Sequence, residues 1–197
     1  LAKTYWQKAR EMKGEAIALD DPTNLIRNGR FEDPFGSHFL DWEISPRRGV
    51  AFEPGGKGVG GLVIQLNDAP RSYFHFTQRI PILPNTRYRL TAKVRPEGRY
   101  LRSFSKFGFE IVHPYESTVW SAGEKCVISQ ESTGPVCIGL TPNDKGYYTL
   151  DVEFTTPLNL NEGILRLVWM NYPQTGRLLV DQIRIEPVKF QEGDPDA

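Results

Sequence analysis

The residue of this chain that most demands a chemical explanation is an aspartate. In Leu178-Leu179-Val180-Asp181-Gln182-Ile183-Arg184-Ile185, alternation puts Asp181 on one strand face with Leu179, Ile183 and Ile185. An ionised carboxylate on an apolar face needs a hydrogen-bonding partner or a cation. Calcium, held by carboxylates and backbone carbonyls, would meet that need, and so would donors from a neighbouring loop. The other reactive groups are scattered. His38, His75 and His113 have no metal-ligand spacing and read as surface or loop residues. Gly56-Lys57-Gly58-Val59-Gly60-Gly61 fits the dinucleotide pattern G-x-G-x-x-G, but a strand, Leu62 to Leu66, follows it. Without a helix N-terminus nothing there can hold a pyrophosphate, so the run reads as a glycine-rich loop. There is no G-x-S-x-G, H-E-x-x-H or P-loop. Cys126 and Cys137 are the two cysteines, outside any zinc-like spacing. A disulfide across a hairpin around Ser132-Thr133-Gly134-Pro135 and a pair of buried free thiols are both open.

The elements that must position these groups are strands. Tyr88, Leu90, Ala92 and Val94 alternate with Arg87, Arg89, Thr91 and Lys93, and Tyr148, Leu150, Val152 and Phe154 alternate with Thr149, Asp151 and Glu153. Shorter runs of the same kind occur at 61–66, 73–82, 107–112, 164–170 and 178–186, with Gly, Pro, Asn and Asp between them. Many short strands without intervening helices predict an all-β sandwich over 22–188. Residues 1–20 differ: they hold no Pro, and Tyr5, Ala9 and Met12 follow helical spacing up to the break at Asp20-Asp21-Pro22. This N-terminal helix is either the last piece of an upstream helical region or an element packed on the sandwich. Residues 189–197 read as a tail.

Composition narrows the function classes. Lys plus Arg equals Asp plus Glu, 24 of each, which does not suit a duplex nucleic-acid binder. No apolar run reaches membrane-span length. The chain starts at Leu1 rather than Met, as a processed or excised chain would.

The opening Asn24-Leu25-Ile26-Arg27-Asn28-Gly29-Arg30-Phe31-Glu32, with Asp41-Trp42 after it, resembles the start of jelly-roll carbohydrate-binding modules of the family four, nine and twenty-two type. The likeness continues at Phe76-Thr77-Gln78-Arg79-Ile80-Pro81-Ile82 and Pro84-Asn85-Thr86-Arg87-Tyr88, and closes at Val180-Asp181-Gln182-Ile183. Phe31-Glu32-Asp33-Pro34 and Phe39-Leu40-Asp41-Trp42 are also similar to the C-terminal domain of bacterial tetratricopeptide-repeat proteins of exopolysaccharide and exosortase systems. The resemblance implies a galactose-binding-like jelly roll, a periplasmic, envelope or secreted location, and a structural calcium on Glu32 and Asp181. By the same resemblance Trp42 packs rather than stacks on a ligand.

Such modules bind sugar on one sheet or along its edge loops. With the strand order usual for them, 62–66, 87–94, 107–112 and 164–170 form that sheet. Alternation then turns Gln65, Arg89, Lys93, Glu110 and Arg166 outward into a polar, basic cleft, with Tyr115 and Trp120 in a nearby loop. The cleft lacks an aromatic platform, and a basic cleft suits an acidic polysaccharide, because Arg grips a carboxylate with two parallel hydrogen bonds. The leading function is therefore a non-catalytic carbohydrate-binding module within a larger protein. A protein-interaction domain of an exopolysaccharide assembly system is the alternative. A polysaccharide-active enzyme is third, since the sequence places no carboxylate pair or His–Tyr constellation in one cleft.

Overall fold

The computed structural model describes residues 23–188, apart from 33, 36–37, 40, 45–47, 56–60, 68–74, 99–104, 113–117, 122–125, 132–133, 138, 161 and 171–174. The expected helix at 1–20, the tail, His113 and Tyr115 lie outside the described residues, and of Trp120 only the backbone is described.

In chain order the strands are β1 (Pro34–Phe35), β2 (His38–Phe39), β3 (Glu43–Ile44), β4 (Val50–Pro54), β5 (Leu62–Leu66), β6 (His75–Ile80) and β7 (Arg87–Glu97). They continue with β8 (Ser105–Val112), β9 (Thr118–Ser121), β10 (Cys126–Glu131), β11 (Gly134–Cys137), β12 (Tyr148–Thr155), β13 (Gly163–Met170) and β14 (Gly176–Pro187). β1 and β2 form a small ribbon. The others make two antiparallel sheets: five strands in the order β12-β7-β14-β5-β4, and seven in the order β11-β10-β8-β13-β6-β3 with β9 also on β8. No helix occurs among the described residues. The fold is an all-β jelly-roll sandwich.

Period-two alternation builds the core between the sheets. Leu62, Ile64, Leu66, Tyr88, Leu90, Ala92, Val94, Leu178 and Val180 face inward from the five-stranded sheet. Phe76, Ile80, Phe107, Phe109, Ile111, Leu165 and Leu167 meet them from the other. Removing that much apolar surface from water is the main driving force for folding.

The opening motif works as a clasp. The Asn24 side-chain oxygen accepts the backbone N–H groups of Ile26 and Ile185, both at 3.0 Å, tying the entry of the domain to its last strand. Gly29 sits so close to β14 that a Cβ would fall 2.2 Å from the carbonyl oxygen of Ile183, which is why no larger residue fits there. Gln78, itself buried, accepts from the Arg27 N–H and donates to the Arg27 carbonyl, both at 2.8 Å. Trp42 is buried against Phe31 and Phe76 at ring distances of 5.3 and 4.8 Å, and its Nε1 donates to the Asn28 carbonyl. It is a packing residue.

At the edge of the seven-stranded sheet, Cys137 is buried and disulfide-bonded, and no free cysteine occurs among the described residues. The chain has one other cysteine, Cys126, two residues before Ile128, which is the register partner of Cys137. The bridge is therefore formed.

Candidate functional site

Each alternation expected for the ligand face holds locally. Gln65, Arg89, Lys93, Glu110 and Arg166 all lie on the outward sides of their strands, opposite buried apolar neighbours. The expected single cleft does not hold. β5 and β7 belong to the five-stranded sheet, whereas β8 and β13 belong to the seven-stranded one. Gln65, Arg89 and Lys93 thus project from one side of the sandwich and Glu110 and Arg166 from the other. Alternation fixes which face of a strand is buried but carries no information on which sheet the strand joins.

On the five-stranded side the outer face is a lattice of ion pairs. Arg89 binds Asp151 through both carboxylate oxygens, with Nε at 2.7 Å from Oδ1. That pair holds the Asp151 carboxyl below its ordinary value and raises Arg89. Arg87 meets Glu153 at 2.7 Å. Glu97 takes Arg95 at 2.8 Å and Arg177 at 3.3 Å. Gln65 donates to the carbonyls of Leu66 and Gly176 and to Asn67. Of the expected ligand-binding groups on this side, Arg89 and Gln65 are thereby engaged within the protein.

The seven-stranded side carries a row that the sequence reading had in part. Glu43 pairs with Thr77, Thr77 with Arg166, Arg166 with Glu110 and Glu110 with Ser121, so one line of register crosses β3, β6, β13, β8 and β9. Its centre is sunk: Glu110 is only 7% exposed although it lies on the outward side of its sheet. Arg166 Nη1 lies 3.4 Å from Glu110 Oε2, near the limit of a hydrogen bond, and Arg166 Nε is buried without an acceptor. The guanidinium's bonding capacity is not used up. Among the described side chains of this face, which are Thr77, Arg79, Glu110, Val112, Ile164 and Arg166 with Glu43 at its edge, none is aromatic. Glu43, Thr77 and Ser121 were missed because their place depends on strand neighbours far away in sequence.

Asp181 needs a correction. It shares an outward face with Leu179, which packs with Val63 and Tyr147 outside the main core, but Ile183 and Ile185 point into the core. The register shifts between Asp181 and Arg184, and Gln182 has a φ of 53°. This β-bulge turns the rest of the strand over, so the carboxylate never shares the core face with the isoleucines. Asp181 is half-buried. Desolvation raises its pKa, opposed by the 2.7 Å hydrogen bond from Gln182 N–H and by Lys93 and Arg30, and reinforced by Glu32. The Glu32 charge is the smallest of these influences on Asp181. Among the described residues no three His, Cys, Asp or Glu side chains gather as metal ligands, so any ion there would draw its remaining ligands from backbone carbonyls.

At Gly61 a strand follows directly, with Gly55 N–H closing the glycine loop on the Gly61 carbonyl at 2.8 Å. Residues 56–60 of the glycine run lie outside the described residues.

No family model matches the chain. No curated protein matches it either. Solved structures do. A family 4 carbohydrate-binding module superposes with a TM-score of 0.55 at 14% identity over 83% of this chain and 99% of that one. A family 61 module solved with β-1,4-galactotriose gives 0.51 at 11% identity, over 84% of this chain and 99% of its own. An arabinose-bound family 51 α-L-arabinofuranosidase gives 0.56 at 11% identity over 88% of this chain, but only 28% of the enzyme is spanned. The enzymatically active domain of tailspike protein 4 of bacteriophage CBA120 is spanned over 22% of its length. At these identities the likeness is one of fold, and it agrees with the jelly roll read from the sequence.

Proposed function

We propose that this domain is a non-catalytic carbohydrate-binding module whose ligand lies along the row Glu43–Thr77–Arg166–Glu110–Ser121. The carrying observation is the sunken Arg166–Glu110 pair at the centre of an outward sheet face. Burying a charge pair is unfavourable unless something else gains by it, and a guanidinium beside a carboxylate offers donors and acceptors together, as a polyhydroxylated ligand needs. Complete jelly-roll modules spanned almost end to end support the same reading. An acidic polysaccharide would be met by Arg166, the one cation of the row, whose 3.4 Å contact with Glu110 is long. Arg89 and Lys93, on the other sheet, have no part in it.

The test is a titration of uronic-acid and neutral oligosaccharides at low and high salt, with Arg166→Ala and Arg89→Ala. The expected result is modest, salt-weakened binding that Arg166→Ala abolishes and Arg89→Ala leaves unchanged. Equal binding by wild type and Arg166→Ala would refute the site.

None of the described side chains of this face is aromatic, which favours the second reading, a protein-interaction domain of an exopolysaccharide assembly system, the context implied by the opening-motif resemblance. Pull-down by the wild type but not by Arg166→Ala, without glycan binding, would establish it. The disulfide-bonded Cys137 supports an oxidising location such as periplasm, envelope or exterior. We further propose a structural calcium at Glu32 and Asp181, where it would offset the desolvation of the Asp181 carboxylate.

A further inference from the structure

Among the described residues two large apolar side chains stand out in solvent, Leu83 at 65% and Leu158 at 79% exposure. Isolated exposed leucines need no explanation. These two are not isolated, because their loops are locked to each other. Thr156 Oγ1 donates to the Leu83 carbonyl at 2.6 Å and accepts from Thr86 N–H at 2.9 Å. Thr156 N–H donates to the Thr86 carbonyl at 3.0 Å, and Asn85 N–H to the Pro157 carbonyl at 3.4 Å. The Tyr88 hydroxyl accepts from Leu83 N–H at 2.9 Å. Residues 81–86 and 156–160 contain no charged side chain in a chain that is 24% charged. The result is a tied, charge-free loop pair at one end of the sandwich that loses little conformational entropy when covered.

The course of the chain says what lies beside it. Leu25 N–H donates to the Ile185 carbonyl and Ile183 N–H to the Gly29 carbonyl, so the chain from 25 to 29 runs back along β14 from 185 towards 183. Traced in reverse from Leu25, it heads for Pro187, which pairs with Tyr88, and for Val188, whose N–H donates to the Arg87 carbonyl at 2.9 Å. Arg87 follows Thr86 directly. The chain preceding Thr23 therefore joins the sandwich at the end that carries Leu83 and Leu158. It includes the one pattern read at helical spacing, Tyr5, Ala9 and Met12, with Lys3, Lys8, Arg10 and Lys13 among its polar residues. The ten residues between Met12 and Thr23 reach at most about 35 Å, enough to span the end of the sandwich while keeping the local concentration high.

We propose that residues 1–20 dock on this end of the sandwich, their Tyr5–Ala9–Met12 stripe covering Leu83 and Leu158. The seat fixes the orientation of whatever precedes the domain. It is separate from the polar row on the sheet face and does not depend on that row's function.

Limited trypsin digestion of the full chain, followed at Lys8, Arg10 and Lys13, tests this. Both leucines are exposed, so Leu83→Ser/Leu158→Ser leaves the sandwich core intact. It should speed cleavage at those sites at least about tenfold, the lower bound for the loss of one leucine's burial. Tyr5→Ser/Met12→Ser should do the same, and the combined variant should be cleaved no faster than either, as groups in one contact behave. Cleavage rates unmoved by the leucine substitutions, or effects that multiply, overturn the docking. A wild-type dimer in sedimentation that the leucine variant dissolves, with cleavage unchanged, also overturns it and makes a second copy the occupant.

Discussion

On the five-stranded sheet Arg89 and Asp151 meet in open solvent, and Arg87–Glu153 and Arg184–Glu186 repeat the pattern along the same face. On the seven-stranded sheet Arg166 and Glu110 also face each other across a ladder, but their side chains retain only 22% and 9% exposure. The chemistry is the same and the surroundings differ. Exposed pairs are screened by water and salt and contribute little. A sunken pair has lost its hydration, so each charge depends on the other. An arginine is therefore a poor guide to a binding site until its burial and partner are known. The lattice on the five-stranded side is a solvated surface, and the sunken pair is the feature on which the proposed site rests.

The sharpest way to break this contrast is to remove one member of each pair. Glu110→Ala leaves Arg166 desolvated without its carboxylate and should lower the unfolding free energy by about 3 kcal/mol. Asp151→Ala, which frees Arg89 into water, should leave the denaturant midpoint nearly unmoved. Comparable losses from both substitutions would remove the reason for placing a site on the seven-stranded face. A further large effect belongs to that same sheet. Reducing the disulfide of Cys137 should destabilise the fold by about 3 kcal/mol, the scale for closing a short loop. Equal urea midpoints with and without reductant would contradict it.

The contrast also shows what was legible in the sequence. Strand positions were: the runs at 87–94 and 164–170 correspond to β7 and β13, because alternation is a local property written into consecutive residues. Inward and outward sides were legible for the same reason. Sheet membership was not, since β5 pairs with β14 and β8 with β13 across long stretches of chain. That non-local pairing put Arg89 and Arg166 into one imagined cleft. The bulge at Gln182 escaped because glutamine carries no signal for a positive φ, unlike glycine. The opening motif was legible as a pattern but not as a mechanism, for the Asn24 and Gly29 contacts need β14 to be in place.

The smallest predicted effect concerns Asp181, which stands apart from the lattice on the five-stranded face. Elsewhere on that face Arg89 and Asp151 stabilise one another's charge, whereas burial makes charge on Asp181 unfavourable and its folded pKa lies above the ordinary 3.8. The sign follows from linkage. Between the unfolded and the raised folded pKa the native state holds more protons than the unfolded one, so stability falls as pH rises through that window. Above the folded pKa the penalty is fully present, and below the unfolded value it is absent. Asp181→Asn keeps an oxygen for the Gln182 N–H bond and removes the charge. In the presence of chelator it should therefore raise the melting temperature slightly at pH 7, with the gain fading as the solution is acidified towards the ordinary aspartate range. A gain that is independent of pH would mean that desolvation of the carboxylate is not its source. Millimolar calcium separates the two demands on the residue. If the ion binds at Glu32 and Asp181, calcium should raise the melting temperature of the wild type but not of Asp181→Asn, reversing the order of the two proteins. A wild-type melt identical in calcium and in chelator would remove the calcium proposal and leave the pH-dependent penalty standing alone.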